Sequence, residues 1–102
     1  MYLVYIVASS TTEAQNIAEK VVRDRLAACA NIFDGVESVY WWENKLQKDV
    51  ETAVILKTRE SLLPQLEEVV VQLHSYTCPC IVALPVSRVT RSYQQWVINE
   101  TS

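Results

Sequence analysis

Ser38-Val39-Tyr40-Trp41-Trp42-Glu43-Asn44-Lys45 decides the fold. A β-branched and aromatic run stops at a polar triplet, and Asn44 tolerates the left-handed backbone that a tight hairpin requires. Backward from the turn, Ala30 to Trp42 reads as one long strand. Gly35, the only glycine, marks a bulge or bend within it. Forward, the chain returns through Val50 to Thr58, with Val54 and Leu56 on one side and Ala53, Ile55 and Lys57 on the other. Extended, residues 30 to 42 span roughly 40 Å. A helix predicted just before them is only about 25 Å long. The hairpin tip must overhang, and it carries Tyr40, Trp41 and Trp42 on both of its faces. Apolar patches of this kind mark interfaces, so the hairpin is expected to join copies of the chain. Trp96, near the C-terminus, is expected to belong to the same surface.

The flanking segments complete the pattern. Tyr2 to Ala8 reads as a buried strand. Ser10-Thr11-Thr12-Glu13 fits a capping box, and Ala14, Ile17, Ala18, Val21, Val22 and Leu26 form a helical stripe, which predicts a helix over 12–28. A second helix starts at residues 59–61, accepts Pro64 in its first turn and ends near His74. Ile81 to Val86 is the last strand, and residues 90–99 are a short helix carrying Tyr93, Trp96 and Val97. The order is β-α-β-β-α-β plus a C-terminal helix. That predicts an α+β fold of the ferredoxin-like type, with an antiparallel sheet and a long β-hairpin, as a single domain over 1–102.

Composition narrows the function. The 102 residues are half hydrophobic, with net charge −3. The arginines are dispersed among 12 acids, so no nucleic-acid partner is expected. No apolar run has the length of a membrane helix, and the N-terminus carries no signal-peptide pattern. An odd count of three cysteines favours a reducing compartment, so a cytoplasmic location is expected. Cys29 is expected to be a packed thiol, and Asp34, Glu37 and Glu43 to be solvated or rim charges.

Chemistry concentrates in Leu73-His74-Ser75-Tyr76-Thr77-Cys78-Pro79-Cys80. His74, Cys78 and Cys80 form the ligand set that a borderline-soft metal prefers, and two thiols favour Cu(I) over a hard ion. The same residues also suit a packed turn, because thiols commonly pack as small hydrophobes and Pro79 marks a reversal. Lys57 and Tyr76 are candidates for a ligand cleft. Alternatively Lys57 snorkels and pairs with Glu51 or Glu60. No nucleophile–base–orienter set and no glycine-rich phosphate loop is visible, so the chain is not expected to be an enzyme.

Several stretches resemble the CutA divalent-cation (copper) tolerance family: Arg25 to Ile32, Ser38 to Lys45, Ile55 to Thr58, His74 to Tyr76, Pro79, Ala83 to Val86, and Tyr93 to Trp96. They fall in the family's order across nearly the whole chain. The resemblance implies a ferredoxin-like, PII-like subunit in a homotrimer, with metal ions as partners and no obligatory cofactor. Copper or another divalent metal is the implied ion. Thr77 and Cys80 stand where many members carry glutamates, and Ala8 where some carry a cysteine. A small-ligand sensor of the PII kind is the alternative that the resemblance implies.

Overall fold

A computed structural model describes residues 1–102. β1 (Tyr2–Ala8) alternates as expected: Val4, Ile6 and Ala8 are fully buried, while Leu3, Tyr5 and Val7 point to the opposite face. α1 (Thr11–Arg23) starts at Ser10, whose hydroxyl accepts the Glu13 amide at 3.1 Å. Glu13 reaches back one residue further than a standard capping box, accepting the Ser9 amide at 3.2 Å. Ala14, Ile17, Ala18 and Val21 form its buried stripe.

The helix expected over 12–28 ends at Arg23. Arg25 takes a left-handed φ of 62°, and the Leu26 and Ala27 amides both turn back onto the Val21 carbonyl, at 2.9 and 3.2 Å. Leu26, Ala27 and Ala28 stay buried as an irregular connection. The apolar stripe therefore continues into the core after the helix has stopped.

β2 (Cys29–Trp42) and β3 (Lys45–Thr58) form the long hairpin. Glu43 and Asn44 take φ of 50° and 61°, the left-handed pair that a two-residue hairpin turn needs. The ladder closes at Trp42–Lys45, so the return strand begins at Lys45 rather than Val50. A bulge interrupts the register between Phe33 and Val36. It contains Gly35, at φ +70°. Asp34 Oδ1 accepts the Gly35 amide at 2.8 Å and the Thr11 hydroxyl at 3.0 Å. Asp34, expected as a solvated or rim charge, is exposed and also ties the bulge to the start of α1.

A single 3₁₀ turn (Glu60–Leu62) leads into α2 (Leu63–Leu73), with Pro64 in its first turn. β4 (Cys80–Pro85) and α3 (Arg91–Glu100) follow. The sheet order is β2-β3-β1-β4, antiparallel throughout. This is the ferredoxin-like α+β arrangement, in which β3 separates the two strands joined through α1. α1 and α2 cover one face, where Ile6, Ile17, Val54, Leu56, Leu66 and Val70 have no exposed surface.

β1 pairs with β3 only from Thr52 to Thr58. Beyond that point Val36–Trp42 and Lys45–Glu51 continue as a bare two-stranded ribbon. It accounts for the elongated 44 × 25 × 22 Å envelope. The expected overhang is present. One ribbon face exposes Val39, Trp41, Leu46 and Val50, with Trp41 71% exposed, and the other face carries Tyr40 and Trp42. No helix is long and apolar enough to cross a membrane.

Candidate functional site

A cleft of about 550 Å³ opens where the ribbon leaves the sheet. Strand alternation supplies Val7, Ser38, Tyr40, Trp42, Glu51 and Cys80 from the face that α1 and α2 leave uncovered. The loop after α2 folds over this face and adds Tyr76, Thr77 and Cys78.

Glu51 forms the floor and is only 7% exposed. The Tyr76 hydroxyl donates to its Oε2 at 2.7 Å. The Tyr40 hydroxyl donates to Asp49. Three cleft groups titrate high as a result. The Asp49 hydrogen bond, then burial and the charges of Asp49 and Glu51, push Tyr40 up to about 12. Burial, then the bond and charge of Glu51, push the Tyr76 hydroxyl up. Burial and the Glu51 charge raise the Cys80 thiol. The cleft is thus acid-dominated.

His74 caps the C-terminus of α2, but its ring turns away from solvent, into the seam between β1 and α1. Nε2–H donates to the Val7 carbonyl at 2.7 Å, which fixes the tautomer because a carbonyl only accepts. Nδ1 then accepts the Tyr76 amide at 3.1 Å, with Glu13 Oε1 3.4 Å away. Burial alone would raise Glu13, but bonds from Ser75 and Ser9, with the charge of His74 whenever its ring is protonated, hold its carboxyl below the usual range. Both ring nitrogens are therefore used inside the chain, and no lone pair is left for a metal. Cys78 and Cys80 do line the cleft, but no three His, Cys, Asp or Glu side chains converge to hold an ion. The set His74, Cys78, Cys80 is not brought together as a ligand set in this chain: His74 is a brace for the loop that carries the thiols.

Lys57 and Tyr76 do not share a cleft. Lys57 pairs with Leu3 and Cys29 near the end of β3 remote from the ribbon. Its Nζ lies 5.4 Å from the Tyr93 ring centroid, with neither Glu51 nor Glu60 as a partner. A cation over an aromatic face replaces the expected ion pair. Cys29 packs there too, its Sγ 3.5 Å from the Tyr93 hydroxyl. Trp96 stacks on Tyr93 with centroids 5.5 Å apart and lies beside Cys29 and Ile32, not beside Tyr40, Trp41 and Trp42. Sequence reasoning missed Glu51 as the floor of the cleft. The available signal was an acid two residues ahead of the apolar run Ala53 to Leu56.

A family model described as the CutA1 divalent ion tolerance protein matches residues 2–100. The divalent-cation tolerance protein CutA of Archaeoglobus fulgidus is 42% identical over 98 residues, covering 96% of this chain and 94% of its own. The rice protein named "Protein CutA 1, chloroplastic" is 42% identical over 99 residues, 97% of this chain, which spans only 56% of that relative's length. Among solved structures, the periplasmic divalent cation tolerance protein CutA of Archaeoglobus fulgidus superposes with a TM-score of 0.96 at 38% identity, covering 100% of both chains. The Thermus thermophilus Cut A1 protein gives 0.96 at 40% identity, again over 100% of both chains.

Proposed function

The chain belongs to the CutA1 divalent ion tolerance family, and from that premise we propose that it works as a homotrimeric metal-ion tolerance or response protein joined through its hairpin. One observation supports the assembly: the ribbon presents large apolar side chains on both faces, and residues 1–102 leave them exposed. An isolated two-stranded ribbon is marginal in water, so its order calls for a neighbour. The trimeric state comes from the family resemblance.

The metal arm of this function is weak and soft. His74 is committed to Val7 and Tyr76, which leaves Cys78 and Cys80 as the only soft donors in the cleft. Two thiols suit Cu(I) better than a hard ion. The three free thiols fit a reducing compartment such as the cytoplasm. The cleft itself favours a second reading, that of a small-ligand sensor.

Light scattering at micromolar concentration tests the assembly: the expected mass is three times 11.6 kDa, and a monomer overturns it. Titration of the reduced protein with Cu(I) tests the metal arm. The thiolate is the ligand, and the Cys80 thiol titrates high, so uptake should strengthen as pH rises. Uptake that survives Cys78→Ser with Cys80→Ser would place the metal elsewhere.

A further inference from the structure

We propose that His74 is a proton-operated latch for the loop of residues 75–79. The neutral ring holds the loop down, and protonation turns the ring to Glu13 and lets the loop go. The inference concerns the loop alone and needs neither the metal reading nor the small-ligand reading.

Nδ1 has one bonding position and two neighbours of opposite kind. The Tyr76 amide, a donor, lies 3.1 Å from it, and Glu13 Oε1, an acceptor, lies 3.4 Å from it. In a neutral ring with its proton on Nε2, Nδ1 carries a lone pair and accepts the amide. In a charged ring Nδ1 carries a proton, which the carboxylate accepts and the amide proton opposes. Nε2 donates to the Val7 carbonyl in both states. The ring is therefore anchored through one nitrogen and changes partner at the other.

Glu13 is held in place for the exchange. Its Oε1 accepts the Ser9 amide and its Oε2 the Ser9 hydroxyl, each at 3.2 Å. No lysine or arginine pairs with it. The His74 side chain has no exposed surface, so a charge there needs a counter-charge beside it. The other surroundings add little positive charge. α2 presents its negative C-terminal end, with no basic residue in its last turn. β1 brings the Val7 carbonyl, β4 brings Cys80 opposite Val7, and β3 acts through Glu51, which holds the Tyr76 hydroxyl. Glu13 and the helix end favour the charged ring; burial and the Tyr76 amide favour the neutral one.

The loop depends on this bond. Residues 75–79 make no backbone–backbone hydrogen bond within the chain, and the Tyr76 amide on Nδ1 is the only bond their backbone makes. Only side-chain ties remain once it is lost: the Tyr76 hydroxyl on Glu51, and Ser75 on Ser9 at 3.5 Å. The strands on either side are independent of it, because β1 is paired along its length with β3 and β4.

His74 is the only histidine, so a histidine-labelled sample reports one ring. Nuclear magnetic resonance of the full-length wild-type protein, from roughly pH 8 to 5, where imidazoles generally change charge, reads ring and loop together. At the upper end the ring proton should sit on Nε2. As the ring becomes charged, the Tyr76 amide should lose about tenfold in exchange protection, corrected for the intrinsic pH dependence of exchange, on the scale of one lost hydrogen bond. The β1 amides should keep their protection. Glu13→Gln removes the counter-charge, so the ring should titrate at lower pH in that variant. A ring that charges while Tyr76 stays protected overturns the latch. So does a ring that stays neutral throughout, a Tyr76 amide that is unprotected at the upper end, or a loss of protection that takes β1 with it. An unmoved titration in Glu13→Gln overturns the exchange of partners. The wild-type titration decides the matter even if that variant does not fold.

Discussion

β3 passes through two environments. From Thr52 to Thr58 it lies between β1 and β2, with α1 and α2 over it, and Val54 and Leu56 have no exposed surface. From Lys45 to Glu51 it keeps only β2 as a neighbour, and Leu46 and Val50 are 54% and 69% exposed. Both halves alternate with period two, and both carry apolar side chains on the face that continues from the helix-covered side. Only the first half finds cover inside its own chain. The strand pattern thus specifies a buried face, and whether the covering layer is part of the chain is a separate matter. In the ribbon, on the function proposed above, other copies supply that layer.

The comparison breaks most visibly if Trp41 and Trp42 are replaced together. Truncating a buried Trp costs about 3–5 kcal/mol, so Trp41→Ala with Trp42→Ala should abolish assembly at micromolar concentration. Sedimentation velocity reads this directly. An unchanged assembly would remove the aromatics from the explanation.

Leu56→Ala attacks the covered half. It should cost about 2–5 kcal/mol of stability in denaturant titration, because the helices above it cannot collapse fully into the space. The mass of the folded assembly should not change. A drop in mass at low denaturant would show that core and ribbon are not separable.

A smaller effect sharpens the boundary between the halves. Glu13 ties the start of α1 to Ser9 and to the His74 brace. Its carboxyl lies below its ordinary value of 4.5 in the folded protein. That stabilisation is fully present above the ordinary value and is lost as the pH falls through the lower, folded-state value. Glu13→Gln should therefore cost about 1 kcal/mol near neutrality, the scale of a helix cap, and progressively less in acid. Thermal midpoints of the two proteins should converge as the pH drops. A gap that stays constant into strong acid would assign the effect to shape and not to charge.

The fold was largely legible because its signals are local. Tyr2 to Ala8 is a continuous apolar run, Ser10 and Glu13 mark a helix start, and Glu43-Asn44 and Gly35 mark the turn and the bulge. The errors arise where burial and secondary structure separate. Leu26 to Ala28 are buried without being helical. Lys45 to Asp49 are a strand without a core beneath them, and four of those five positions are polar. The site was less legible because it depends on partners far away in sequence. His74 and its neighbouring thiols look like a ligand set until Val7 takes Nε2. Glu51 looks like a partner for Lys57 until Tyr76 claims it. Neither contact follows a period or a spacing that sequence displays.

Amide hydrogen exchange along the ribbon tests the central claim most directly. If other copies cover it, the amides of Val39 to Trp42 and Leu46 to Val50 should exchange slowly, within the range of the β1 amides, at concentrations where the assembly holds. If those amides exchange as freely as an isolated hairpin while β1 stays protected, the ribbon is bare in solution and the account of its aromatic faces is wrong.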